Sequence, residues 1–84
     1  MAMSNRQCRA ARALLGWNQA DLEKAAEVSK KTIADFEREE RIPYPRTLAA
    51  MEHALEAAGI EFLPDDGVKL KAQKSRRSKV AQQR

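Results

Sequence analysis

Four polar side chains at helical spacing have the chemistry needed to read base edges: Lys30, Lys31, Thr32 and Asp35. A lysine ammonium donates hydrogen bonds to guanine O6 and N7, and a carboxylate accepts one from a cytosine amino group. A threonine can meet a phosphate or a thymine methyl group. The two lysines lie at the start of a helix, where the helix dipole disfavours positive charge. A functional role would explain why they are found there despite this cost. The alternative is that they only solvate the helix start.

The remaining reactive side chains form no catalytic or metal-binding set. His53 has no Cys, His or carboxylate partner at a metal-binding spacing, so we expect a surface histidine. The sequence contains no nucleophile with a base, no glycine-rich phosphate loop and no paired-carboxylate site. Cys8, the single cysteine, is predicted to be a small buried hydrophobe rather than a reactive thiol. We therefore expect no enzymatic activity, no cofactor and no metal.

Two short helices joined by a tight turn must position the lysines. Asn18 and Ser29 are each suited to cap a helix by accepting a backbone N–H. Leu22 on the first helix, and Ile33 and Phe36 on the second, repeat at helical spacing and point to a shared core. Only a sharp corner fits between the helices, so they cross at a steep angle. This layout is a helix-turn-helix.

Two further helices complete the predicted domain. Residues Ser4–Leu15 are predicted to form the first helix, which Gly16 ends. Two prolines interrupt the chain after the helix-turn-helix, and Pro45 is placed to start a last helix that runs to about Ala58. The apolar face of this helix follows three-and-four spacing and closes the core. The predicted fold class is all-α, a compact four-helix domain.

Residues 60–70 are predicted to form a short β-hairpin after the last helix. Ile60–Leu63 and Val68–Leu70 alternate apolar and polar residues around a turn-forming cluster. Because two strands are marginal alone, the hairpin either packs on the helices through Phe62 and Leu70 or pairs its edge with a second chain as a dimerisation element. A flexible connector is the alternative.

The ordered set of residues from Arg12 to Glu37 resembles the Cro/phage-repressor (Xre-type) helix-turn-helix family of transcriptional regulators. The similarity covers most of residues 5–62 and implies a repressor-like fold. The matching positions are Arg12, Leu15-Gly16-Trp17-Asn18-Gln19, Leu22, Ala26, Val28-Ser29, Thr32-Ile33 and Phe36-Glu37.

The resemblance assigns roles to individual residues. By it, Lys30, Lys31 and Asp35 reach base edges in the major groove, and Gln19 meets a phosphate. The loop after the second helix of the motif touches the DNA backbone. The full set of expected DNA-binding residues is Gln19, Ser29, Lys30, Lys31, Thr32, Asp35, Arg38, Arg41 and Arg46.

The resemblance also implies a structural salt bridge between Arg12 and Glu37, half-buried and therefore costly to break. The chain departs from the family pattern at Glu27, where the family usually has glycine at the corner, and at Glu23, where it usually has alanine. A non-glycine residue in a left-handed corner costs about 1 kcal/mol. Glu23 is expected to loosen the helix crossing or to turn its carboxylate outward.

Positive charge is concentrated near the C-terminus. Residues 1–63, the predicted helix-turn-helix domain, contain nine Lys and Arg against ten Asp and Glu, whereas residues 64–84 contain seven against two. The tail at residues 71–84 has almost no large apolar side chain, so we expect it to be disordered when free. It is either a solvated arm or an arm that binds phosphates and adds salt-dependent affinity.

The size of the chain favours a small assembly. With 84 residues the core is thin, and dimerisation often supplements such a core, so we expect a homodimer. The single cysteine excludes an internal disulfide, and no apolar run approaches the roughly 20 residues of a membrane span. The sequence shows no signal peptide. We therefore expect a cytoplasmic protein.

Three functions follow from these patterns. The first is a sequence-specific transcriptional regulator that binds double-stranded DNA through the major groove. The second is a protein-binding module, antiactivator-like or antitoxin-like, that engages another regulator; the near-neutral domain, Glu23, Glu27 and acidic Glu39-Glu40 favour it. The third is a nonspecific nucleic-acid binder that relies on the tail.

Overall fold

The computed structural model describes residues 3–71. The predicted mostly helical fold with a C-terminal hairpin is observed, while the expectations for the basic tail lie outside the described residues from residue 72 onward. Ser4 and Ala58 were predicted to be helical but cap their helices instead. The elements are α1 (Asn5–Leu15), α2 (Gln19–Ala26), α3 (Lys30–Glu37), α4 (Pro45–Ala57), β1 (Ile60–Leu63) and β2 (Gly67–Leu70).

Side-chain caps determine where the first two helices begin. Ser4 accepts a hydrogen bond from the backbone N–H of Gln7 at 3.1 Å, and the Gln7 side chain accepts one from the Ser4 backbone N–H at 2.8 Å. Asn18 and Asp21 form the same reciprocal pair at the start of α2. Such capping boxes satisfy N–H groups that a helix start leaves without partners. Gly16 ends α1 at φ 72°, a conformation that glycine adopts without strain.

The core lies between the helices and is closed by the hairpin. Helix α2 packs on both α3 and α4, while α1 packs on α3 and β2. Burying one large aliphatic side chain contributes about 1.5–3 kcal/mol, so a small domain depends on each such residue. The largest fully buried side chains are Leu22, Ile33, Met51, Leu55, Ile60 and Cys8.

The hairpin packs on the helices, as one of the two predicted arrangements requires. Its antiparallel register pairs Ile60 with Leu70 and Phe62 with Val68. Ile60 is fully buried, and the other three are partly buried against the core. Because side chains alternate across a strand, these two pairs share the face that covers the helices.

Gln7 of α1 fastens the turn end of the hairpin. Its side-chain Nε2 donates to the carbonyl oxygens of Leu63 and Gly67, both at 2.9 Å. An ion pair between Arg6 of α1 and Asp66 in the turn of the hairpin, 3.3 Å apart, adds to this contact. The Gln7 side chain is buried, so its hydrogen bonds satisfy polar atoms that water does not reach freely.

Candidate nucleic-acid interface

The corner between α2 and α3 holds the two helices of the motif together. Glu27 lies in the left-handed region at φ 59°, and its backbone N–H donates to the carbonyl oxygen of Glu23 at 2.8 Å. The expectation that Glu23 loosens the helix crossing stays a prediction, and its carboxylate takes part in a solvent-exposed hydrogen bond. Its Oε2 accepts the backbone N–H of Lys30 at 3.3 Å, so this carboxylate joins α2 to the first residue of α3.

The start of α3 is capped from two directions. Ser29 accepts the backbone N–H of Thr32 at 3.2 Å, and its hydroxyl donates to Thr32 Oγ1 at 2.9 Å. The carboxylate of Glu23 lies at the same helix start, where the helix dipole favours negative charge. This carboxylate offsets the cost of placing Lys30 and Lys31 there. Both lysines are exposed.

Asp35 occupies a different environment from the one expected of a base-reading residue. Its side chain is only 9% exposed and forms ion pairs with Lys31 at 3.2 Å and with Arg38 at 3.0 Å. Lys31, one helical turn earlier, is 82% exposed. The carboxylate therefore supports two cations on the surface of α3, while its predicted contact with a base stays a prediction.

The segment between α3 and α4 exposes both basic and apolar side chains. Arg41 lies in the loop, and Arg46 is the second residue of α4; both are exposed. Ile42 and Tyr44 are 83% and 81% exposed, while Pro43 between them is buried. The proline thus anchors the loop and leaves its two neighbours facing solvent.

Glu37, the last residue of α3, accepts side-chain hydrogen bonds from both α1 and α2. Arg12 donates from Nε to Oε2 at 2.8 Å and from Nη2 to Oε1 at 2.7 Å, which is the salt bridge that the family resemblance implies. Gln19 Nε2 donates to Oε1 at 3.0 Å, and the Cys8 thiol donates to Oε2 at 3.1 Å. Burial raises the pKa of Glu37, but these hydrogen bonds outweigh it and leave the pKa below its usual value.

Cys8 and Trp17 belong to the fold rather than to an exposed surface. Cys8 is fully buried, as predicted, and burial together with its hydrogen bond to Glu37 raises the pKa of the thiol. A thiol that stays protonated is a poor nucleophile. Trp17 is partly buried against the core, and its carbonyl oxygen accepts a hydrogen bond from Arg12 at 3.0 Å.

A second glutamate with a left-handed backbone conformation follows the end of α3. Glu39 lies at φ 64°, and its N–H donates to the carbonyl oxygen of Phe36 at 3.0 Å. The N–H of Glu40 donates to the carbonyl oxygen of Asp35 at 2.8 Å. This pair of bonds is a Schellman motif, which usually has glycine at the left-handed position. Glutamates with positive φ therefore flank α3 on both sides.

Sequence reasoning missed Arg9, which reaches the end of α3 from α1. Its Nη1 donates to the carbonyl oxygen of Glu37. Asn5, one turn earlier, donates to the same carbonyl at 3.3 Å and to Glu39 Oε2 at 3.1 Å. The available signal was the spacing of Arg9 and Arg12, because residues three apart share a helix face.

Residues 3–71 present neither a metal centre nor a membrane span. Within this range no group of three or more His, Cys, Asp and Glu side chains is arranged to hold a metal ion. His53 is exposed, as expected. None of the described helices has the length and apolar character to cross a bilayer.

Comparison with known proteins agrees with this geometry. The helix-turn-helix family of Cro/C1 type, whose members are Xre-like DNA-binding regulators, matches residues 9–62. No curated protein sequence matches the chain. The matched range contains α2 and α3 with their caps, the Arg12–Glu37 pair, α4 and most of β1. Because the match extends over more than half of the chain, this protein belongs to the helix-turn-helix family of Cro/C1-type DNA-binding regulators.

Proposed function

We propose that the protein is a sequence-specific transcriptional regulator that inserts α3 into the major groove of double-stranded DNA. The observation that carries this proposal is the exposed pair Lys30 and Lys31 on the first turn of α3. In a helix-turn-helix, the first residues of the second helix meet base edges. Lysines at these positions donate to guanine O6 and N7.

The surrounding residues supply contacts that fix the register on DNA but carry little sequence information. Gln19 opens α2, where a helix start favours a phosphate. The exposed arginines that follow α3 are suited to phosphates because a guanidinium binds an anion with two N–H groups. In this assignment the backbone contacts come from Gln19, Ser29, Thr32, Arg38, Arg41 and Arg46, and Asp35 positions Lys31 and Arg38.

We infer that the active species is a homodimer in the cytoplasm. A symmetric dimer places two recognition helices on half-sites about one helical turn apart. The outer edges of β1 and β2 have no strand partner within residues 3–71, and an unpaired edge is a template for a second chain. The hairpin is therefore the element that we propose for dimerisation.

A second candidate function is binding to another regulatory protein. The observation that favours it is the acidic frame around α3: the Glu23 carboxylate at its first N–H, and exposed Glu27, Glu39 and Glu40 at its two ends. Carboxylates near the lysines weaken attraction to phosphates. Such a frame suits a basic protein surface better than it suits DNA.

Selection of bound duplexes from a random pool tests the first function. We expect enrichment of one motif, arranged as two related half-sites if the protein is a dimer. Under the second function, purified protein shows no saturable duplex binding at moderate salt and binds a second regulator instead. Under nonspecific binding, removal of residues 71–84 alone abolishes all duplex binding. If binding is sequence-specific, removing these residues weakens binding to all duplexes alike and makes the affinity less dependent on salt.

A further inference from the structure

The surface next to Glu37 forms an open cleft of about 690 Å³. Its walls come from α1, from the start of α2 and from the end of α3 with the turn that follows. Three arginines and three glutamates contribute to it together with one amide. The lining residues are Arg9, Arg12, Gln19, Glu37, Arg38, Glu39 and Glu40.

The carboxylates of this cleft already have partners. Glu37 is paired with Arg12, as described above, and Glu40 lies 3.2 Å from Arg38. The third, Glu39, accepts a hydrogen bond from Asn5 at 3.1 Å. The arginines paired with Glu37 and Glu40 reduce the repulsion of an incoming anion by these two carboxylates, whereas Asn5 gives Glu39 a hydrogen bond but no positive charge.

Arg9 and Gln19 are two donors in the cleft that keep free capacity and, in the described part of the chain, are not part of an ion pair. Arg9 is exposed and donates to a carbonyl oxygen, and among residues 3–71 no carboxylate lies within ion-pair distance of it. A guanidinium has five N–H groups, so most remain for a ligand. Gln19 uses one amide N–H for Glu37 Oε1 at 3.0 Å, and the second has no partner within the described residues.

Glu37 accepts a hydrogen bond from each of these two donors. Its carbonyl oxygen accepts from Arg9, and its side-chain Oε1 accepts from Gln19. The residue itself is 3% exposed and is fixed by two hydrogen bonds from Arg12. Two donors from different helices are thus attached to one rigid residue at the end of the recognition helix.

We propose that Glu37 is a positioning residue for DNA binding, which holds Arg9 and Gln19 at the mouth of this cleft so that together they clamp one backbone phosphate. The inference rests on the proposed DNA-binding function. It adds Arg9 to the interface and gives the Arg12–Glu37 pair a role beyond stability. A phosphate fits because its oxygens accept from both a guanidinium and an amide.

Salt-dependent binding to the selected duplex tests the clamp. Arg9→Met is compared with Arg6→Met, which removes the same charge from an exposed position of the same helix outside the cleft. We expect Arg9→Met to lower the slope of log affinity against log salt by about one relative to Arg6→Met. Gln19→Met is expected to weaken binding about tenfold. Equal slopes for the two arginine variants overturn the proposal.

Two double-variant comparisons separate one clamp from two independent contacts. Arg9→Met with Gln19→Met should lose less affinity than the product of the single losses, because the two donors share one phosphate. Arg12→Met with Glu37→Met replaces the ion pair by apolar side chains, a change that folded proteins often tolerate. We expect this variant to lose as much affinity as Gln19→Met, with no further loss when Gln19→Met is added.

The outcomes distinguish the clamp from the function on which it rests. Independent, multiplicative losses for Arg9 and Gln19 contradict the clamp, and the Arg9 comparison remains decisive if the paired methionine variant does not fold. Absence of saturable duplex binding by the wild-type protein contradicts the DNA-binding function itself. Thermal unfolding of every variant shows that affinity is compared between folded proteins.

Discussion

Lys31 and Asp35 lie one turn apart on α3, with the lysine Nζ 3.2 Å from the aspartate Oδ2. The lysine side chain is 82% exposed and the aspartate side chain 9%, so an almost buried carboxylate holds an exposed ammonium at the surface of α3. The corresponding position one turn after Lys30 is Ala34, which offers no such anchor. The two lysines of the proposed base-reading pair therefore differ in how firmly they are held.

Replacing Lys30 and Lys31 together by alanine should abolish sequence preference. One good side-chain contact to a base edge discriminates by about 1–3 kcal/mol, so the preferred and scrambled duplexes should bind with similar affinity. Lys24→Ala, an exposed lysine on α2, is the control and should keep the preference. Competition between labelled duplexes measures the ratio, and an unchanged ratio in the double variant contradicts the assignment.

Glu27→Gly should stabilise the protein. Glu27 has φ 59°, and a residue with a Cβ in this region costs about 1 kcal/mol more than glycine. For a domain of this size the expected rise in melting temperature is about 4–8 °C. Ala49→Gly, at an exposed position inside α4, should instead lose about 1 kcal/mol. A fall in stability for Glu27→Gly would show that its side chain contributes more than the strain.

Stability should fall in acid because of Glu37. The pKa of Glu37 is lower in the folded chain than its usual value, so the unfolded chain binds the proton more readily. The stabilisation is present above the unfolded pKa, about 4.3, and is lost as the pH falls through the folded pKa. Urea unfolding between pH 7 and pH 2 measures this loss.

The comparison variant for that experiment is Glu37→Gln. It should be less stable at neutral pH, by up to about 3 kcal/mol, because Arg12 is left without a charged partner. Its stability should also change less between neutral and acid pH. Glu61→Gln, at an exposed position of β1, should keep the wild-type dependence. An unchanged acid dependence in Glu37→Gln would mean that other groups control acid unfolding.

Gln7→Leu should loosen the hairpin. The substitution removes three hydrogen bonds: the two to the carbonyl oxygens of Leu63 and Gly67, and the one that the Gln7 side chain accepts from the Ser4 backbone N–H. The expected cost is at least about 2 kcal/mol. Hydrogen exchange at the amides of β1 and β2 should accelerate more than exchange in α4. Arg6→Met breaks only an exposed ion pair and should cost less than about 1 kcal/mol.

Local signals in the sequence were sufficient for the helices and their starts. Asn18 and Ser29 cap α2 and α3 in the structure as their positions predict. Gly16 ends α1, and Pro45 begins α4. These features depend on bonds within a few residues, so residue type and spacing determine them.

Contacts between distant residues account for most of what the sequence did not reveal. The carbonyl oxygen of Leu63 that Gln7 reaches lies 56 residues further along the chain. The Asp35 side chain is only 9% exposed, although a charged residue on an amphipathic helix is ordinarily expected at the surface. Glu23 became a cap for Lys30 because the corner brings it to α3.

The partial burial of Trp17 against the core makes this residue an optical reporter. The chain contains one tryptophan and one tyrosine, so indole fluorescence has a single origin at the junction of α1 and α2. Its emission should shift to longer wavelength when that junction opens. Tyr44, 81% exposed in the loop after α3, supplies a separate signal. Folding and ligand contact can therefore be followed in the unlabelled chain at two independent places.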